Sequence, residues 1–380
     1  MSVMAEQNLI NTSSLTNDSA NDKAQCTKGK TTLAAWLLRQ GTGIENSSEM
    51  MDSLAPVVGA LASACTQTSY VVRSGNDDIL PNSLAPAPAA RDALGVNASG
   101  ERQKKLDIVS NALFELALRK CGRCAMYVSE EVEDPVAFEA ASEKGHSYVV
   151  ALDPLDGSSN IEFGGIVGTI FGIWKYPAGT PTTADGAVSI CRGDQLVAAG
   201  YCMYSSCTQL VLTVGTGVYG FVLDPSTDEF RLSHVDVKIP DSGKIYSFNE
   251  GNYAMWEEGL QSYITSLKTG GAKQGTSPYS ARYIGCLVGD FHRTLLYGGI
   301  YGYPSDSKNR SGKLRLLYEC APMSMIIEQA GGAGTTGASR VLDVVPTETH
   351  ERVPFFVGSK DEIAYLETFL NPNATPMLRP

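Results

Sequence analysis

YVVALDPLDGSSN, residues 148–160, runs from an apolar stretch straight into two acids and then a Gly-Ser-Ser turn. The apolar run with paired valines reads as a buried strand, which leaves Asp153 and Asp156 at its carboxyl end. Just upstream, CAMYVSEE (124–131) repeats the pattern and ends on Glu130 and Glu131. Open α/β sheets bind ligands outside the carboxyl ends of their strands. One acid there reads most simply as a cap or a solvated strand end; two neighbouring strands that both end in acids weigh against that reading. Asp107, on the helix KKLDIVSNALFELALRK (104–120), and Glu319 add further carboxylates. Carboxylates that converge without counter-charge repel, and the usual remedy is a divalent metal. All-oxygen ligation without His or Cys selects Mg²⁺ or Mn²⁺ over Zn²⁺. Gly157, Ser158 and Ser159 follow at once, where a tight turn's N–H groups and two hydroxyls can grip phosphate oxygens. Metal ligands beside phosphate donors are what metal-assisted phosphate ester hydrolysis requires.

Outward from this centre, strand runs alternate with helical periodicity, which points to layered α/β sheets. Residues 1–30 are Ser/Asn/Thr/Lys-rich and are expected to form a disordered tail. Residues 74–101 are heavy in Pro, Ala, Gly and Asn and read as either a disordered insert or a mobile functional loop. The polar stretch VKIPDSGK divides the chain into α/β domains at 31–238 and 239–380. A net charge of −11 over 380 residues argues against nucleic acid or an anionic membrane as partner, since both select basic stripes. It does not exclude an anionic substrate, because bound metal reverses the local field. No apolar run reaches the length of a membrane-crossing helix. Nine cysteines scattered through the chain form no disulfide framework, and Cys191, Cys202, Cys207 and Cys320 read as small buried hydrophobes. Cys121-Gly-Arg-Cys124 reads as a helix end before a strand rather than a redox pair. With no secretory signal in MSVMAEQNLINTSS, the expected location is the reducing cytosol.

The order D-x(n)-EE-x(n)-DPLDG, closed by Glu319 ahead of a Gly-Gly pair, resembles the metal-dependent, lithium-sensitive sugar phosphatases. Within them the chain is similar to the fructose-1,6-bisphosphatases over roughly residues 33–370. The matching segments include VSEE (128–131), VGTIFGI (167–173), YSFNEG (246–251), ARYIG (281–285), DFHRTLLYGGIYGYP (290–304) and GKLRLLYE (312–319). The resemblance implies an α-β-α-β-α layered sandwich, a regulatory-type first domain, a sugar-phosphate-binding second domain and a homotetramer. It implies two or three Mg²⁺ (or Mn²⁺) per subunit on Glu130, Asp153, Asp156, Glu319 and the main-chain carbonyl of Leu155. Water activation falls on Glu131 with Asp107, and Glu101 stands in the catalytic loop. The 1-phosphate falls on Gly157, Ser158 and Ser159. The 6-phosphate falls on Asn249, Tyr283, Tyr303 and, from a neighbouring subunit, Arg282; Lys313 and the backbone near Leu287 meet the sugar. The implied reaction is hydrolysis of fructose 1,6-bisphosphate to fructose 6-phosphate and phosphate. The alternatives are a sedoheptulose-1,7-bisphosphatase, a dual-specificity enzyme, or an inactive metabolite-sensing relative.

The chain also departs from the family's pattern. Glu101 replaces an Asp, and Asn252 is one residue more than usual before Tyr253, which leaves Tyr253's place in the 6-phosphate pocket open. At the family's AMP site, Thr42, Gly43, Glu45 and Tyr148 remain, while the loop reads GTGIEN and a Lys-Tyr pair has become Ser147-Tyr148. Loss of that lysine removes a phosphate-neutralising charge, so weak or altered AMP inhibition is expected.

Overall fold

Alternate residues of a single strand face two different cores. In β3 (Ser147–Asp156) all ten residues are buried, with Val150 and Leu152 packed into one cluster and Val149 and Ala151 into another. That is the period-2 geometry of a strand covered on both faces. The computed structural model describes residues 28–40, 47–74, 104–138, 147–177, 179–270 and 277–371. The expected tail and the loop 74–101 therefore lie almost wholly outside the described residues, as do Thr42, Gly43, Glu45 and Glu101.

The larger sheet joins β1 (Cys124–Ser129), β2 (Val136–Ala137), β3, β4 (Val167–Tyr176), β5 (Leu196–Tyr204), β6 (Thr208–Thr213), β7 (Tyr219–Asp224) and β8 (Glu229–His234). Its eight strands lie in the order β2-β1-β3-β4-β5-β6-β7-β8. Only β1 and β3 pair in parallel; the other neighbours are antiparallel. The two acid-ending strands are therefore adjacent and point the same way. One face is covered by α1 (Leu33–Gln40), α2 (Ser47–Ser74) and α3 (Lys105–Cys121), whose Trp36, Leu61 and Phe114 meet Tyr127, Phe171 and Phe221.

The second sheet has β9 (Ile245–Ser247), β10 (Ser280–Ala281), β11 (Ile300–Tyr303), β12 (Ala333–Thr335) and β13 (Phe355–Gly358) in the order β10-β9-β11-β13-β12. Between the sheets lie α6 (Leu287–Tyr297) and α7 (Ala321–Gln329), while α4 (Ala184–Ile190) packs near the rim and α5 (Glu258–Lys268) and α8 (Lys360–Leu370) lie outside. Helix α7 is buried from Ala321 to Ile327, as a helix sandwiched between sheets must be. Along β13, Phe355 and Val357 face the middle helices and Phe356 faces α5 and α8. The result is the expected α-β-α-β-α stack.

Ahead of α5, Glu250–Met255 form a 3₁₀ turn whose Gly251 N–H donates to the Asn249 side chain. One local expectation is corrected. Cys207 is half-buried, whereas Cys191, Cys202 and Cys320 are buried as expected. The CxxC does mark a helix end: Gly122 takes a left-handed φ of 65° after α3, and Cys124 opens β1.

Candidate active site

At the carboxyl ends of β1 and β3 the ladder continues one residue beyond the strand, with Glu130 N–H donating to Leu152 O at 3.3 Å. Between Asp153 and Asp156 the β3–β4 register shifts, so β3 bulges where its acids emerge. Leu155 N–H donates to Asp153 Oδ1 at 2.9 Å, and the Thr169 hydroxyl donates to Pro154 O at 2.8 Å, which pins the bulge. Glu319 arrives from the π-helical turn Leu316–Cys320 in the middle layer, where its carboxylate accepts the Arg315 backbone N–H. Candidate ligand atoms of Asp153, Asp156 and Glu319 all lie within 4.8 Å of one another, and all three residues are buried.

Such a cluster is costly when ionised. Burial, then the charges of Glu130, Asp156 and Glu319, push the Asp153 carboxyl well above the ordinary range. Burial and Glu130 do the same to Glu319, opposed by the Arg315 N–H. Asp156 is raised by burial but held back by the Cys286 thiol and the Val288 and Leu287 N–H groups. Asp107, 4% exposed beneath this group, is raised to about 6 by burial, while Lys104 N–H (2.7 Å to Oδ2) and the Ser158 hydroxyl oppose the rise and Glu130 adds to it. Mutually repelling, buried, oxygen-only donors fit a hard divalent cation.

These acids form one wall of a cleft of about 510 Å³. Glu130, Glu131, Asp153, Leu155, Asp156, Gly157, Ser158, Ser159, Asn249, Tyr283, Leu287, Tyr303, Lys313 and Glu319 all line it, so most of the expected site is brought together. Ser158–Phe163 form a 3₁₀ turn opened by Gly157 at φ 74°. Tyr283 is 40% exposed, and the turn after it is tied down by Asp290, whose carboxylate accepts the N–H groups of Ile284 and Gly285 at 2.9 and 3.1 Å.

Other expected residues are not on the cleft. Arg282 is exposed and its guanidinium donates to Ala281 O at 2.9 Å. Tyr253 turns to α5, with its hydroxyl 3.1 Å from Thr265 Oγ1. Tyr148 is 1% exposed, and its hydroxyl sits 2.6 Å from Ser53 Oγ against α2. Lys104, Asn160, Tyr301 and Arg352 line the cleft without having been singled out. Lys104 was visible as the residue opening α3; Arg352, in an irregular segment, left no periodic signal.

Comparisons with known proteins cover both halves of the chain. Residues 88–235 match the family model described as the fructose-1-6-bisphosphatase N-terminal domain, and residues 239–371 match that of its C-terminal domain. A chloroplastic fructose-1,6-bisphosphatase of Brassica napus is 52% identical over 89% of this chain and 81% of its own length. The chain belongs to the fructose-1,6-bisphosphatase family. It is thus a phosphatase acting on fructose 1,6-bisphosphate, from a metal-dependent family. The chloroplastic fructose-1,6-bisphosphatase 1 of Arabidopsis thaliana is 50% identical over 89% of this chain and 80% of its own. The crystal structure of Leishmania major fructose-1,6-bisphosphatase in holo form superposes with a TM-score of 0.78 at 38% identity, covering 90% of this chain and 99% of that one.

These relatives overturn the cytosolic location expected from the sequence, because the Brassica napus and Arabidopsis thaliana enzymes are both chloroplastic. The reason is plain in retrospect. Free thiols report a reducing compartment without distinguishing one such compartment from another.

Proposed function

We propose that the cleft removes the 1-phosphate of fructose 1,6-bisphosphate with Mg²⁺ held by Glu130, Asp153, Asp156, Glu319 and the carbonyl of Leu155, two or three ions per subunit. The observation that carries this reading is the buried Asp153–Asp156–Glu319 cluster in one cleft with the Gly157-Ser158-Ser159 turn. A divalent ion there supplies Lewis-acid polarisation of the phosphoryl oxygens and a more acidic water.

The chain's own residues do the rest. The N–H groups that open the turn at Gly157 have no partners within it, and with the two serine hydroxyls they hold the charged phosphate oxygens. Glu131 at the cleft wall orients the attacking water and takes its proton, with Asp107 behind it as a second acceptor. A carboxyl tuned to about 6 is ionised at neutral pH yet basic enough to share a proton. Asn249, Tyr283, Tyr303 and Lys313 hold the sugar and its non-reacting phosphate, with Leu287's backbone beside the hydroxyls, and this fixes the ester in line for attack. Arg282, exposed in one subunit, serves the cleft of a neighbouring one in a homotetramer. Glu101 completes the catalytic loop. The domain division near residue 238 falls in 235–244, which carries no helix or strand. The chloroplastic relatives support a plastid location.

Phosphate release from fructose 1,6-bisphosphate and sedoheptulose 1,7-bisphosphate, with and without Mg²⁺, tests the reading on wild type and Glu131→Gln. Expected are Mg²⁺-dependent turnover that favours the fructose ester and a loss of at least about a hundredfold in the variant with metal binding retained. Metal-independent turnover, or a mild effect at Glu131, would overturn it.

A further inference from the structure

Asp156 follows the bulge in β3 and re-enters the ladder opposite Gly168. What does contact its carboxylate comes from 130 and more residues further along the chain, in the first turn of α6: Cys286 Sγ lies 2.9 Å and Val288 N 2.8 Å from the same oxygen, Oδ2. The thiol also lies 3.8 Å from the Asp156 carbonyl oxygen.

Two glycines permit this approach. A Cβ at Gly157 would sit 2.8 Å from Cys286 Cβ and 3.1 Å from its sulfur. A Cβ at Gly168, the residue paired with Asp156 across the ladder, would sit 2.6 Å from Val288 Cγ2. Helix α6 is therefore seated on the strand ends at a separation that only glycine allows, and Cys286 is 2% exposed there.

We propose that Cys286 is a positioning residue. Its S–H and the Val288 N–H saturate Oδ2, lock the Asp156 carboxylate in one orientation, and so present it ready-aimed to the cation. This inference rests on the reading of Asp156 as a metal ligand. Groups that orient metal ligands are commonly worth 10–100-fold in affinity. The thiol acts only as a donor, so serine can replace it and alanine cannot.

The test measures Mn²⁺ binding by electron paramagnetic resonance, alongside the melting temperature of the metal-free full-length protein. Three variants are compared with wild type: Cys286→Ala, Cys286→Ser and Asp156→Asn. Expected are a loss of about tenfold or more in Mn²⁺ affinity for Cys286→Ala, near-wild-type affinity for Cys286→Ser, and unchanged metal-free melting in both. Asp156→Asn should lose Mn²⁺ at that site. Wild-type affinity in Cys286→Ala while Asp156→Asn loses metal would overturn the positioning role alone. Wild-type affinity in Asp156→Asn would instead overturn the ligand reading beneath it. A Cys286→Ser variant as weak as Cys286→Ala would show that packing of the sulfur, and not its proton, matters, and would also refute the proposal.

Discussion

Replacing Asp107 by Asn should make the metal-free protein more stable above pH 6 and much less active with metal. The side chain is almost fully buried, and its carboxyl titrates near 6 in the fold against 3.8 in a free chain. Between those values the folded state binds the extra proton, so stability falls as pH rises from about 4 to about 6 and is flat beyond. The difference, about 2.2 units at 1.36 kcal/mol each, comes to about 3 kcal/mol of destabilisation above the window. Asparagine keeps the acceptor for Lys104 N–H, a contact of 2.7 Å, and carries no charge to desolvate. Melting of both proteins in a chelator, from pH 4 to 8, should therefore show curves that coincide at the acid end and separate by several degrees across the window. In the same proteins with Mg²⁺, turnover should fall about a hundredfold or more in the variant. Parallel melting curves would refute the assignment of the burial cost to this carboxyl.

Three further outcomes follow from the same geometry. Asp290→Asn weakens the grip on the Ile284 and Gly285 N–H groups beside Tyr283, so steady-state kinetics should show KM rising roughly tenfold with kcat little changed. Gly168→Ala drives a methyl group into Val288 and should cost about 1–3 kcal/mol in denaturant unfolding, with weaker metal binding as the α6 contact is prised away. AMP at micromolar concentration should leave phosphate release unchanged, because Ser147 offers no charge at the position of the family's lysine and Tyr148 is committed to Ser53; clear inhibition would contradict this.

The parts of this site legible in sequence were those written contiguously. VVAL before Asp153 and AMYVS before Glu130 declare buried strands by composition, and their acids must then fall at strand ends. The two matching patterns suggest that the acids lie at one sheet edge; that β1 and β3 pair in parallel, and so bring those acids together, is set by the ladder. What the pattern could not carry were contacts across layers. Nothing near Cys286 in the chain announces a carboxylate at 2.9 Å. Gly168 is one residue of the apolar VGTIFGI, and only the helix lying on it explains the missing side chain. Tyr253 could not be placed because one added residue, Asn252, decides on which side of a 3₁₀ turn it falls.

The middle helical layer also bears on how the molecule is made. Glu130 and Asp153 belong to the first sheet, while Glu319 and the α6 turn that holds Asp156 belong to elements threaded between both sheets. Nearly 190 positions separate Glu130 from Glu319, so the chain must close that long loop before the acids can meet. On the proposed ligand assignment, an intermediate containing the first sheet alone lacks Glu319 and the α6 turn that the cation needs. A refolding experiment monitored by Mn²⁺ should then show binding appearing with the slowest native phase, after most of the sheet has formed.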